Sequence, residues 1–403
     1  MRREIGRREF LRRGTAAGVL AATGLHAADA AAESRSPTAA IATSSSTSPS
    51  IADAERRAVL LKRQLDSQAF SLSEYDAITP ALHFAGTDAQ GAREWQGAAR
   101  SRLIERLGGF PGTRAALRPE VLERRDFGTY VRERIVFQTR ENLSAVGYLL
   151  LPTDRPRPLP AIVCFSGHGR GVDDLLGIAP DGTQQPTRGT GYAKEYALQC
   201  VEHGYATFAL EQLGFGARRD AAARNAGPAE NSCRPAACAA LLFGQTMIGL
   251  RAWDAMRAID YLATRPEIDI RRVATLGASG GGTTSLFTAA LDERIRVAVI
   301  SAYFNTFRES IVRISHCPDN YVPGLVRDME MSDIAGLVAP RCLFVESGRL
   351  DRIFPIEGSQ RAAEHTRQIY RTLGASERMG YEIHEGGHEF HGVGAFDFLG
   401  RWL

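Results

Sequence analysis

A mostly parallel, doubly wound α/β sheet is predicted by three features of this chain. Short apolar runs at residues 161–165 (AIVCF), 206–210 (ATFAL) and 342–346 (CLFVE) alternate with stretches of helical periodicity. Strands without polar alternation belong to sheets covered on both faces. A glycine-rich turn at 277–282 joins one such strand to the helix after it. Composition agrees, since 403 residues that are 44% hydrophobic and 24% charged are globular rather than collagen-like, coiled-coil or disordered.

The elements follow in order. Residues 54–65 and 98–107 carry apolar residues at helical spacing, and Gly108, Gly109 and Pro111 stop the second run. Residues 134–139 and 145–151 read as a hairpin. The run 161–165 is a buried strand ending at Ser166-Gly167-His168-Gly169. A helix at 192–202 leads to the strand 206–210, and a long amphipathic helix spans 246–264. Strands at 273–276, 297–302, 342–346 and 379–384 then alternate with helices at 282–291, 358–373 and 392–403. The expected organisation is a twin-arginine signal peptide (1–30), a flexible linker (31–50), a helical N-terminal extension (51–115) and a catalytic domain (116–403).

The first thirty residues read as an address. Arg7-Arg8-Glu9-Phe10-Leu11 is a twin-arginine pattern, followed by a mild apolar stretch and the small residues Ala28 and Ala30 around Asp29. Residues 31–50 have Ile41 as their one large apolar side chain, as a linker does. No cysteine follows the apolar stretch, so a lipid anchor is not expected. No run approaches the ~20 apolar residues that span a bilayer. Export by the twin-arginine machinery to the periplasm or medium is therefore expected, without a stable membrane anchor. Net charge is only +3, too small to argue for a nucleic-acid partner, and Lys62 and Lys194 are the only lysines.

Six cysteines in an exported chain raise the question of disulfides. Cys164, Cys200 and Cys342 fall in apolar elements and read as small buried hydrophobes. Cys233, Cys238 and Cys317 fall in polar, loop-like sequence, where either of the first two can pair with the third. Their spacing fits no zinc pattern.

Gly277-Ala278-Ser279-Gly280-Gly281 is a Gly-x-Ser-x-Gly placed between the strand VATL and a helix. A turn that tight lifts the serine hydroxyl above the sheet, at a helix N-terminus that favours developing negative charge. A hydroxyl needs a base, and His388 follows the strand YEIH on a glycine-rich loop. His384 and His391 compete with it, but a metal site built on the three histidines lacks carboxylate or thiol partners at defined spacing. Asp351, past the strand CLFVE, is the carboxylate expected to orient His388, with Glu346 as the fallback. The order Ser279, Asp351, His388 is that of α/β-hydrolases. The oxyanion donors expected are the backbone N–H groups of Gly280 and His168.

From about residue 100 onward the chain resembles the bacterial α/β-hydrolases grouped with acetyl xylan esterases and dienelactone hydrolases. The resemblance rests on the segments 166–169 (SGHG), 214–216 (GFG), 277–282 (GASGGG), 316–324 (HCPDNYVPG), Asp351 with Phe354-Pro355, and 387–390 (GHEF). Related sequences typically have histidine where Ser166 stands. The resemblance implies an α/β-hydrolase fold and a serine ester hydrolase, with acetylated plant polysaccharides among the family's substrates. Serine rather than cysteine at 279 favours ordinary esters over dienelactones.

The expected protein is thus an exported serine carboxylic ester hydrolase, short-acyl and acetyl-directed, acting on carbohydrate or related esters without metal or organic cofactor. Its partner is a small-molecule or oligosaccharide ester. A serine peptidase of the oligopeptidase type and a catalytically silent binding protein are the alternatives. The substrate-binding residues are not identified. His316, Asp319, Asn320 and Tyr321 on the long 304–331 connection are pocket candidates, as are the segments 169–191 and 214–238. Arg218 and Arg219 are candidates for an acidic substrate, and Tyr303, Phe304 and Phe215 read as core.

Overall fold

The computed structural model describes residues 50, 56–57, 64, 66–185 and 191–403. The expected signal peptide, nearly all of the linker and most of the helix at 54–65 lie outside the described residues. From residue 66 onward the described elements are helices α1 (Ser67–Asp76) and α2 (Ala89–Arg106), then strands β1 (Glu120–Asp126), β2 (Tyr130–Arg140), β3 (Leu143–Pro152) and β4 (Leu159–Phe165). Next are α3 (Val172–Leu176), α4 (Tyr196–Glu202), β5 (Ala206–Leu210), α5 (Ala221–Ala226), α6 (Cys233–Leu242), α7 (Met247–Leu262), β6 (Ile268–Ala278) and α8 (Gly280–Leu291). The chain closes with β7 (Ile295–Ser301), α9 (Met331–Gly336), β8 (Cys342–Gly348), α10 (Ile356–Thr372), β9 (Met379–His384) and α11 (Val393–Trp402).

The strands form one sheet in the order β1-β2-β3-β5-β4-β6-β7-β8-β9. From β5 to β9 every pairing is parallel, and β1, β2 and β3 add an antiparallel edge. β5, β7 and β8 are buried nearly throughout, as their continuous apolar runs require of strands covered on both faces. The two faces carry separate clusters. One holds Phe165, Phe208, Ile259, Leu286 and Tyr370, the other Cys164, Leu176, Tyr196, Phe344 and Leu399.

Register positions the chemistry. Phe165 is opposite Gly277, Ala278 opposite Ser301, Ser301 opposite Glu346, and Gly348 opposite His384. The carboxyl ends of β4, β6, β7, β8 and β9 therefore reach one edge together, where open α/β sheets place their sites.

Several elements depart from the sequence reading, each for a physical reason. β1 has almost no buried side chain; it is held as an edge strand by antiparallel pairing with β2, which leaves no apolar signature. α2 starts at Ala89, where the Asp88 carboxylate accepts from Gln90 N and Gly91 N, a side-chain N-cap. Its buried face is Ala92, Gln96, Ala99 and Leu103, too small and mixed to stand out as an apolar stripe. That face joins the main core, and Gln96 Nε2 donates to the Gly336 and Ala339 carbonyls at 2.9 and 2.7 Å. The helix expected from 192 begins at Tyr196, because Lys194 and Glu195 adopt positive φ of 45° and 48°. α1 falls within the expected helical extension but outside the two apolar-spaced runs; Asp66 caps it, and it buries no side chain.

Cys164, Cys200 and Cys342 are buried as expected. Cys233 and Cys238 lie on α6 rather than in a loop, with Pro235 within the first turn, where a missing N–H costs nothing. All six cysteines are free thiols in the structure. Among the described residues no single helix is long and apolar enough to cross a membrane.

Candidate active site

Ser279 is the corner between β6 and α8, with φ 57° and ψ −125°. A side-chain-bearing residue holds that backbone only when its surroundings force it. Ser279 N donates to Ser301 O at 3.0 Å and Thr283 N to Ser279 O at 3.1 Å. The flanking glycines permit the corner. A Cβ on Gly277 would stand 2.1 Å from Gly281 O, and one on Gly281 would stand 1.8 Å from Phe165 O.

His388 and Asp351 are brought together by two knotted loops. Arg349 N donates to His384 O at 2.8 Å and Leu350 N to Gly386 O at 3.0 Å, which ties the loop after β8 to the loop after β9. His388 Nδ1 then lies 2.8 Å from Asp351 Oδ2. The other Asp351 oxygen accepts from Ile353 N and Phe354 N at 2.8 and 3.0 Å. Asp351 is buried, with 1% of its side chain exposed against 22% for His388. The carboxylate is therefore immobile and the outer ring edge accessible.

Ser279, Gly280 and His168 line one cavity of about 230 Å³ with Ile314, Ser315, His316, Cys317, Asn320, Ile353 and Phe354. Phe354 links this cavity to His388, since the two rings stack with centroids 5.8 Å apart. Two larger cavities, of about 270 and 610 Å³, are lined by none of these residues; the first lies between β1–β3 and residues 172–217, the second between residues 111–118 and 138–143. Gly280 opens α8, so its N–H has no intrahelical acceptor. The neighbouring Gly167 N is fixed by Tyr192 Oη at 2.7 Å, and Ser166 O accepts from Gln212 Nε2.

Other candidates sort clearly. Glu346 does not reach His388; it accepts from Ser301 Oγ at 2.7 Å, His391 N at 2.8 Å and Gly392 N at 2.9 Å. It thus holds the chain just beyond His388. Burial pushes its carboxyl above the usual range. His384 and His391 stack with centroids 4.7 Å apart, away from the cavity lining. His316 and Asn320 line the cavity, and burial pushes the His316 imidazole down to about 4 despite the pull of Asp319. It is neutral at pH 7. Tyr321 instead donates to Ile311 O at 3.0 Å and lines a separate apolar cavity of about 220 Å³.

Two expectations are corrected. Arg218 is paired with buried Asp254 at 2.7 Å, and Arg219 donates to the Gly216, Gly227, Pro228 and Glu230 carbonyls. Both bind the chain to itself, so neither is a free receptor for an acidic substrate. Asp319 is buried against Arg251 at 2.6 Å. Tyr303, Phe304 and Phe215 are core. Sequence reasoning missed Tyr192, Gln212 and Glu211, which fix the loop after β4; they are ordinary residues whose partners lie far off in sequence.

A parallel sheet, a glycine-flanked serine at the strand–helix corner and a histidine on a buried aspartate define an α/β-hydrolase. The family model described as Abhydrolase family matches residues 61–372, and the chain belongs to that family. It is 28% identical over 314 residues to "Putative hydrolase YtaP" of Bacillus subtilis (strain 168), covering 75% of this chain and 98% of that one. Among solved structures it is similar to a "putative acetyl xylan esterase" from Bacteroides fragilis NCTC 9343, with TM-score 0.69, 20% identity, and 80% of this chain and 83% of the other covered. A glucuronoyl esterase from Solibacter usitatus gives TM-score 0.58 and 18% identity over 81% of this chain and 98% of the other. These likenesses establish the fold.

Proposed function

We propose that this chain is an exported serine esterase that removes short acyl groups, acetyl foremost, from carbohydrate or related esters. One observation carries the reading: the serine at the strained corner and the loop after β4 open into the same small cavity. In this mechanism Ser279 Oγ attacks the ester carbonyl carbon while His388 Nε2 takes its proton. Asp351 holds the ring through Nδ1 and stabilises the imidazolium. The carbonyl oxygen, now negative, accepts from the N–H groups of Gly280 and His168. Collapse expels the alcohol, which receives the proton from His388. Water, deprotonated in turn by His388, attacks the acyl-serine and frees the carboxylic acid and Ser279.

Support for a short acyl group comes from the cavity's volume, about 230 Å³, which is below the roughly 300–1,000 Å³ of pockets for drug-sized ligands. Support for a carbohydrate ester comes from the structural relatives named as acetyl xylan and glucuronoyl esterases. Export rests on the twin-arginine segment of the sequence alone.

The test is hydrolysis of p-nitrophenyl acetate, butyrate and octanoate by the purified protein beside Ser279→Ala. Acetate is expected to be cleaved fastest, with the variant slower by at least ~10³-fold. A folded wild type no faster than the variant on all three would remove the esterase reading.

A further inference from the structure

Beside the catalytic cavity, four side chains from three separate segments converge. They are His168 from the loop after β4, Cys233 at the start of α6, and Cys317 with Asp319 from the connection between β7 and α9. One ligand-capable atom from each lies within 4.8 Å of all the others. We propose that these four residues form a structural zinc site, assembled from parts that no sequence spacing reveals.

The donor set is the first argument. Two sulfurs, one imidazole nitrogen and one carboxylate oxygen are a zinc complement, and four protein ligands are characteristic of a closed site. A tetrahedron with Zn–S near 2.3 Å and Zn–N or Zn–O near 2.0 Å sets its ligands roughly 3.3–3.8 Å apart. His168 Nε2 and Asp319 Oδ2 are already 3.8 Å apart. The remaining pairs lie within 4.8 Å and need to close by at most about 1.3 Å to meet that geometry.

The surroundings are the second argument. His168 Nε2 is buried beside the Cys233 thiol and Asp319 Oδ2 without a well-formed hydrogen bond, a cost that coordination would remove. Arg251 donates to Asp319 Oδ2 at 2.6 Å and to Cys233 Sγ at 3.3 Å, while Asn320 Nδ2 donates to Asp319 Oδ1 at 2.9 Å. Such outer contacts orient ligands and leave their other lone pairs for a metal. Charge closes as well. A dication, two thiolates, one carboxylate and the Arg251 guanidinium sum to zero, and the two thiol protons leave to solvent on binding. His168 and Cys317 line the open cavity, which provides the way in.

With four protein ligands the ion has no open position, so it acts as a staple and not as a Lewis acid. It would fix the loop bearing His168 to α6 and to the pocket connection. A Cβ on Gly280 would stand 3.6 Å from His168 Nδ1 and 3.9 Å from Asp319 Oδ2, so the staple backs directly onto the nucleophile corner. The site stands independently of the esterase reading, because its readout is metal content.

The experiment uses the full chain, purified under reducing conditions, loaded with Zn²⁺ or Co²⁺ and desalted. The expected result is one retained ion per chain and, with cobalt, intense thiolate-to-metal charge-transfer absorption. Cys317→Ser should weaken retention at least ~100-fold and diminish that absorption, whereas Cys238→Ser, on the exposed face of α6, should change neither. Chelation should lower the melting temperature of the wild type but not of Cys317→Ser. A reduced, folded wild type that keeps no ion through desalting overturns the proposal, and so does the finding that Cys233 and Cys317 are joined as a disulfide in the protein as purified without reductant. Retained cobalt without thiolate absorption overturns it equally.

Discussion

His388 Nδ1 is bonded at 2.8 Å to an Asp351 carboxylate whose other oxygen is held by two backbone N–H groups. The aspartate is thereby fixed as an acceptor, which compels the histidine to carry its proton on Nδ1 and to offer Nε2 as a base. Asp351→Asn presents an amide that can donate, favouring the wrong tautomer. The expected outcome is a kcat on p-nitrophenyl acetate lower by about 10³–10⁴-fold, with an unchanged melting temperature. A loss below tenfold would exclude Asp351 as the orienting group.

Glu346 provides the contrast. It is the fallback acid by sequence, yet its oxygens take Ser301 Oγ and the His391 and Gly392 amides. Glu346→Gln puts an NH₂ where only acceptors fit, so stability should fall by about 1–3 kcal/mol. Its kcat should drop far less than that of Asp351→Asn. Urea unfolding alongside steady-state kinetics separates the two roles; the reverse ranking in kcat would make Glu346 the working acid.

Gly281→Ala tests the corner itself. The new Cβ would meet Phe165 O at 1.8 Å, and backbone on both sides leaves nothing flexible to yield. A loss on the order of 3 kcal/mol is expected, read as a lower denaturation midpoint with an unchanged m-value. A variant as stable as wild type would show that the β4–α8 approach is looser than described.

Glu211 gives a pH dependence. It is buried beneath the loop after β4, accepting from Val172 N at 3.2 Å and Ala217 N at 3.3 Å, and burial pushes its carboxyl up to about 8. Below the ordinary value near 4.5 it is protonated folded or unfolded and adds no slope. Between there and pH 8 folding takes up a proton, so stability falls as pH rises. The melting temperature should decline across that window in wild type and more shallowly in Glu211→Gln. Parallel curves would assign the decline to other groups.

Much of the fold was legible because its signals are local. The runs AIVCF, ATFAL and CLFVE are buried strands, and Gly277 through Gly281 announce a corner since only hydrogen fits where Gly281 meets Phe165. The proposed nucleophile, acid and base each follow a strand, which is why Ser279, Asp351 and His388 could be proposed from the glycine-rich turn and their order, and the structure brings the last two together. β1 was illegible because an exposed edge strand is held by pairing and not by burial.

What the sequence by itself determined is the set of parallel strands and the identity of the residues at their carboxyl ends, because strand burial and tight-turn sterics are short-range. Tertiary structure decided which of those residues meet. Register brings Gly348 opposite His384, and the loops beyond them join Asp351 to His388 while diverting Glu346 to backbone amides. The same long-range folding ties Arg218 to Asp254 and gathers His168, Cys233, Cys317 and Asp319. Contacts between segments distant along the chain are set by packing geometry, which no local pattern encodes.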